Sequence, residues 1–309
     1  MINLSEEIRN GYTVSTLSKR VWQIQLDMLG VLLKVCKKYN LKIWAEGGTL
    51  IGAIRHKGFI PWDDDIDMIM LRDDYTRLVE VAPIEFKYPY FFQAAETEKN
   101  YIRGHAQLRK SDTAAILPCD IWQNFNQGIF IDIFVADVLP DNSNGLRERI
   151  YTALETKRSR MYNALYGSLL SRHPIKYLKD YLSVRKIGVL NSYVSMCSLI
   201  VDSPIKSTQM ADVLFSSLHH KKITRELSWY KETLMLPFED IEVPVPSGYN
   251  EILTTQYGDY MKPVKAPTMH GEVFFYLDIP YTDVLKELRR KASLKSKLKH
   301  FFSFGTNID

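Results

Sequence analysis

The chain has 309 residues, 46% hydrophobic and 25% charged, with 40 basic against 36 acidic side chains and only 3 cysteines. That balance excludes a disordered, collagen-like or disulfide-framed protein and suits one large domain or two modest ones. The net charge of +4 is uneven: residues 286–309 carry seven Lys/Arg and two acidic residues, a net of +5, and the remainder sums to −1. A near-neutral body argues against a nucleic-acid-binding surface, so no nucleic-acid partner is expected.

The first residues lack a basic segment followed by an apolar one, so no signal peptide is predicted. Residues 17–38 read as an amphipathic helix, with Val21, Ile24, Met28, Val31, Leu32 and Val35 at helical spacing. Asn40 breaks it, and Leu41–Trp44 reads as a short strand. Gly47-Gly48 punctuates the backbone, a short helix is predicted over Thr49–Arg55, and His56–Pro61 reads as a loop. Asp65–Leu71 reads as a central strand, followed by a helix over 74–82 capped by Asp73. Tyr90–Ala95 and Gly128–Val135 are further strands. Residues 145–235 look mainly helical and carry little chemistry. Within them the run Ile187 to Val201 is 15 residues long and broken by Asn191 and three serines. A spanning helix needs about 20 apolar residues, so this run reads as a core helix and a cytoplasmic protein is expected. Pro244 and Pro246 hold their segment extended, as an edge strand at best. Cys36, Cys119 and Cys197 sit among apolar residues and read as reduced and buried. The pattern predicts one α+β unit with a helical insertion.

Chemistry concentrates between residues 44 and 67. Four aspartates occupy the five positions 63–67. Like charges so close are costly in a fold unless a cation or hydrogen bonds compensate them; in isolation a solvated acidic loop fits equally well. Strand periodicity puts Asp63, Asp65 and Asp67 on one face, and an Asp-x-Asp pair there suits a hard cation such as Mg²⁺. An EF-hand is excluded, because Met68-Ile69-Met70-Leu71 follow where its loop needs glycine and oxygen ligands. Gly47, Gly48 and Thr49, opening a short helix, offer backbone N–H groups and a hydroxyl to phosphate oxygens. Arg55, His56 and Lys57 add positive charge nearby. Asp132, alone in Ile129-Phe130-Ile131-Asp132-Ile133-Phe134-Val135, is hard to explain as packing. Either it is the one solvent-facing position of its strand or a cation compensates it, and a metal site shared with Asp65 and Asp67 would do so.

Together these motifs resemble a nucleotidyltransferase, or polymerase-β-like, active site. The longer string from Gly47-Gly48-Thr49 through Arg55-His56-Lys57-Gly58-Phe59-Ile60-Pro61-Trp62 to Asp63-Asp64-Asp65-Ile66-Asp67 is similar to the signature of LicD-family phosphotransferases and of the related fukutins. The resemblance continues in Ile131–Phe134, Pro244–Pro246 and Tyr257-Gly258-Asp259-Tyr260. It implies a mixed sheet flanked by helices, as one catalytic domain with its core at about 15–140 and 237–280. A helical insertion at 145–235 and a basic C-terminal tail at 281–309 complete the expected organisation.

The resemblance also implies an enzyme that transfers a phosphoalcohol group, phosphocholine first among the candidates, from a CDP-linked donor to a sugar hydroxyl of a cell-surface glycan. A lipid-linked acceptor fits as well, and CMP is the leaving group. Transfer of a nucleotide from an NTP keeps the same site and is the alternative. In the implied roles Asp65, Asp67 and Asp132 hold Mg²⁺ or Mn²⁺, and Asp132 takes the proton of the attacking hydroxyl. Gly47, Gly48 and Thr49 hold donor phosphate, Arg55 and Lys57 stabilise the leaving group, and Arg109 contacts the donor. His105 and His270 read as packing or surface histidines. The tail interleaves leucines with lysines and arginines and ends in Phe301-Phe302-Ser303-Phe304. A solvated helix and a helix lying at the inner face of an anionic membrane fit it equally. A membrane scaffold without catalysis would leave the aspartates unexplained.

Overall fold

The computed structural model describes residues 1–142, 145–203, 206–212, 214, 223–265 and 273–304 of the chain. A hairpin of β1 (Glu7–Arg9) and β2 (Tyr12–Val14) leads into helix α1 (Thr16–Tyr39). Ser15 caps α1 by accepting from the Ser18 N–H, and Asn40 closes it in the left-handed conformation. Of the predicted stripe Val21, Met28, Leu32 and Val35 are buried and Ile24 and Val31 only partly so, because the buried face is centred nearer Trp22, Leu26 and Leu29. Strand β3 (Trp44–Ala45) and helix α2 (Gly47–Ile51), prolonged by a wide turn over Gly52–His56, come next.

Strand β4 (Asp67–Leu71) is shorter than Asp65–Leu71. Side chains of α1 take the carbonyls just before it: Trp22 Nε1 donates to Asp63 O at 2.9 Å and Gln25 Nε2 to Asp64 O at 2.8 Å. Helix α3 (Arg72–Glu85) begins earlier than expected, with Leu71 at the cap and Asp73 inside the first turn. The Arg72 guanidinium is held in a fork by Asp137 at 2.8 and 2.7 Å, which draws that residue into the helix start. Then come β5 (Tyr90–Gln93), β6 (Ala106–Lys110), β7 (Ala114–Ile116) and the long β8 (Ile129–Pro140).

The region expected to be mainly helical holds α4 (Leu146–Tyr166), α5 (Pro174–Ile187) and α6 (Val189–Val201), and then two strands. These, β9 (Lys206–Ala211) and β10 (Arg225–Glu226), extend the main sheet. Only Met210 and Ala211 of β9 are buried, so its sequence lacks the alternation that marks a strand. A second hairpin, β11 (Thr233–Phe238) with β12 (Ile241–Pro246), contains both Pro244 and Pro246, consistent with an edge. Helix α7 (Tyr249–Tyr257), strand β13 (Phe274–Tyr276), helix α8 (Tyr281–Lys291) and helix α9 (Leu294–Phe301) complete the chain.

The fold is mixed α and β, a curled mixed sheet flanked by helices, as expected. Its spine is β8, buried along nearly its whole length. One edge of β8 pairs in parallel with β4, and β6 and β9 run antiparallel to successive stretches of it. Because β6 and β9 divide β8 between them, the sheet forks, and a cleft opens beside the forked part. Helix α1 closes the core, with Trp22 stacked on Phe59 at 4.6 Å and Phe59 against Phe238 at 4.9 Å. Of the cysteines Cys36 is buried, Cys197 partly so, and Cys119 exposed, correcting the expectation that all three are buried. Among the described residues no single helix is long and apolar enough to cross a membrane.

Candidate active site

Three side chains form a row across three strands. Asp132 on β8 is the register partner of Asp67 on β4 and of Gln107 on β6. Directly paired residues point to the same face of a sheet, so this face carries two carboxylates and an amide side by side. The segment before β4 brings the remaining aspartates in. One carboxylate oxygen from each of Asp65, Asp67 and Asp132 lies within 4.8 Å of the others, and Asp63, Asp64 and Asp65 make a second such group. Asp63 and Asp65 reach the site from a turn rather than from a strand face, since β4 begins only at Asp67. An all-oxygen donor set of this kind suits a hard cation such as Mg²⁺ or Mn²⁺.

The electrostatics agree with the crowding. Burial, then the charges of Asp65 and Asp132, hold the Asp67 carboxyl well above its ordinary pKa. Ionised together, these groups need compensation by a cation or by hydrogen bonds such as the one from Gln107 to Asp132.

The glycines serve the carboxylates first. A Cβ on Gly48 would sit 2.3 Å from an Asp63 carboxylate oxygen, and one on Gly47 would sit 3.1 Å from Asp67 Oδ2. Gly47 also has φ +51°, a conformation that favours glycine. Both residues line the cleft, as a phosphate-holding role requires. Thr49 does not. It is buried and its hydroxyl accepts from the Asp67 N–H at 2.8 Å, so it anchors the start of β4 instead of reaching a phosphate.

Of the expected cations, Arg55 lines the cleft, its Nη1 donating to the carbonyls of Tyr260 at 2.5 Å and Lys262 at 3.3 Å. Lys57 is exposed outside the cleft, in the left-handed residue that ends the wide turn, which corrects its assignment to the site. Arg109 is corrected as well. It is fully buried behind the cleft wall, with Nε donating to Gln93 Oε1 at 2.9 Å, Nη1 to Gly128 O at 2.7 Å and Nη2 to Gln107 Oε1. Its effect on the site is indirect. With the Gln107 carbonyl facing Arg109, the Gln107 NH₂ faces Asp132 and donates to Oδ1 at 2.6 Å. The arrangement fixes Asp132 as an acceptor.

Several cleft residues escaped the sequence reading, three of them on or just before β6. His105 Nε2 lies 3.5 Å from Asp132 Oδ1 and lines the cleft, so it is neither surface nor mere packing. Arg103, ion-paired with Asp120, lines the same cleft, as does Gln107, the donor to Asp132. A partial signal was there: positions 103, 105, 107 and 109 are all polar and alternate with Gly104, Ala106 and Leu108, although only 107 and 109 fall within β6. His270 lies outside the described residues. Glu46, before the glycines, is buried and ion-paired with Arg225 of β10, which ties the added strands to the site's base.

The cleft has a volume of about 920 Å³. Besides the carboxylates it is walled by aromatic rings: Trp62, Tyr162 and Tyr166 of α4, and Tyr257 and Tyr260 from the end of α7. The Tyr257–Tyr260 segment thus returns to the aspartates although far from them in sequence.

A carboxylate cluster on a forked sheet, edged by Arg55 and walled by aromatics, defines a candidate phosphate-chemistry site. Residues 40–144 match the family described as LicD/FKTN/FKRP, nucleotidyltransferase domain. The chain is 29% identical over 248 residues to the lipopolysaccharide cholinephosphotransferase LicD of Haemophilus influenzae, covering 77% of this chain and 88% of that protein. It is 36% identical over 142 residues to the uncharacterized protein RP689 of Rickettsia prowazekii, 46% of this chain and 48% of that one. Over 40 residues, 13% of this chain and 8% of the other, it is 42% identical to human ribitol 5-phosphate transferase FKRP. The chain carries a LicD-family domain.

Proposed function

We propose that this protein transfers a phosphoalcohol group, phosphocholine first among the candidates, from a CDP-linked donor to a sugar hydroxyl of a glycan, releasing CMP. One observation carries the reading: Asp65, Asp67 and Asp132 converge at the floor of a cleft large enough for a nucleotide-linked donor. Similarity to a cholinephosphotransferase over most of the chain supports phosphoalcohol transfer within that class.

Asp65, Asp67 and Asp132 would hold Mg²⁺ or Mn²⁺, which neutralises donor phosphate charge when bound. The all-oxygen donor set and the raised pKa of Asp67 support that fit. Asp132, kept an acceptor by Gln107, takes the proton of the attacking hydroxyl. Gly47 and Gly48 leave the cleft floor open to a phosphate, since neither has a side chain to fill it. Arg55, positioned by two backbone carbonyls, directs positive charge toward the leaving group. The rings of Trp62, Tyr257 and Tyr260 suit a quaternary ammonium group, which aromatic faces attract.

The test is incubation of the purified chain and Mg²⁺ with CDP-choline, CDP-ribitol and CDP-glycerol in turn, scoring CMP. Release of CMP from one donor, abolished by chelator, is the expected result. Pyrophosphate release from an NTP, with no CMP from any donor, would replace this reading by nucleotide transfer.

A further inference from the structure

The basic C-terminal helix is seated on the body, and the way it is seated leaves a built surface. On α9, Leu294, Leu298 and Phe301 recur at helical spacing and are 73%, 44% and 77% exposed. The opposite side is docked: His300 stacks on Trp122 at 4.3 Å, and Trp122 Nε1 donates to Ser296 Oγ at 2.8 Å. Helical geometry puts Lys295 on one flank of the apolar stripe and Lys297 on the other, and both are exposed. The helix contains no carboxylate.

Helix α5 repeats the pattern. Ile175 and Leu182 are 71% and 53% exposed, with Leu178 between them, while Tyr181 and Val184 are buried on the other face. Lys176, Lys179 and Lys186 are exposed beside the stripe. The sole acid of α5, Asp180, turns inward to accept from Asn163 at 2.8 Å. The two helices are joined at one seam. The Phe304 ring stacks on Tyr181 at 5.4 Å, the Phe304 N–H donates to Gly167 O, and the Leu169 N–H donates to Phe302 O. The linking Leu169 and Leu170 are themselves exposed.

We propose that the α5–α9 surface is a docking site for an anionic lipid bilayer. Exposed apolar stripes on two adjoining helices, with lysines beside them and the one carboxylate turned inward, match the charge and chemistry of an anionic membrane interface. A protein partner fits less well, because lysine is depleted from the centres of protein interfaces. The surface also adjoins the cleft: Tyr162 and Tyr166 of α4 line it, and the next residue, Gly167, is the one bonded to Phe304. The chain would therefore lie with its cleft near the bilayer.

The experiment is flotation of the purified full chain with vesicles of phosphatidylcholine, with and without phosphatidylglycerol. Binding is expected to be about tenfold stronger with the anionic lipid and to weaken with added salt. L298E combined with F301E should reduce binding about tenfold without changing the melting temperature or the activity on a soluble acceptor; so should I175E combined with L182E. The milder L298S/F301S pair serves if the charged pair fails to fold. Absence of wild-type binding, equal binding by all variants, or a self-associated form that L298E/F301E dissociates without vesicles would overturn the proposal.

Discussion

Asp67 and Asp132 are register partners on adjacent parallel strands, so their carboxylates share one face of the sheet. Burial and mutual repulsion hold the Asp67 carboxyl well above its ordinary pKa. A pKa raised in the folded state means that the ionised group costs stability, a cost that grows as pH rises through the folded-state value. Asp67→Asn should therefore raise the melting temperature in chelator at neutral pH. Mg²⁺ should stabilise the wild type, by about 2.7 kcal/mol at a hundred times Kd, and fail to stabilise the variant. CMP release should fall by about 10²–10³ in Asp67→Asn and in Asp132→Asn. An equal Mg²⁺ shift in wild type and Asp67→Asn would count against the metal assignment.

The clearance at Gly48 yields a second prediction. Gly48→Ala puts a Cβ 2.3 Å from the Asp63 carboxylate, which must rotate away. The backbone there has no positive φ, so the fold should survive while CMP release falls by about tenfold or more. Gly47→Ala adds left-handed strain of about 1–2 kcal/mol and should also lower the melting temperature. Full activity in Gly48→Ala would mean that the position of Asp63 is immaterial.

Arg109 and Gln107 separate stability from chemistry. Arg109→Met leaves three carbonyls without their buried donor, and urea denaturation should reveal a loss of about 3 kcal/mol or more. Gln107→Leu removes the donor to Asp132 Oδ1 and the acceptor of Arg109 Nη2, while Arg109 keeps its bonds to Gln93 and Gly128. Losing that bond raises the Asp132 pKa, so the acid limb of the pH–rate profile should move to higher pH. An unmoved limb in Gln107→Leu, with activity intact, would leave Gln107 a purely structural role.

His56 gives a pH dependence of stability. Burial, followed by the charges of Arg55 and Arg9, pulls its pKa from 6.5 down to about 4. A depressed histidine contributes stability that is present above about 6.5 and is lost as pH falls toward about 4. His56→Gln should flatten that part of the stability curve, measured as urea midpoints across the window. Parallel curves for the two proteins would show that His56 does not titrate in this way.

Much of the architecture was legible in the sequence, because periodicity reports burial directly. Helix α1 followed from six apolar residues at helical spacing, and β8 from an apolar run interrupted by one aspartate. Asp65, Asp67 and Asp132 stood out because carboxylates so placed have no packing explanation. Lys57 and Arg109 misled for a common reason: positive charge near a motif in sequence says nothing about which side of the wall it faces. Lys57 ends a wide turn outside the cleft, and Arg109 lies behind it as the partner of Gln107.

The sequence by itself determined the crowding of carboxylates, the glycine turn before them and the uneven charge, since these depend only on residue type and local spacing. Tertiary structure alone decided which groups meet. Strand register aligned Asp67, Asp132 and Gln107, and close approach made Gly47 and Gly48 clearances for carboxylates. It also buried the Glu46–Arg225 pair and seated the C-terminal helix on Trp122 with its apolar stripe outward. Register and docking are set by packing among segments far apart in the chain, and local spacing carries no record of that packing.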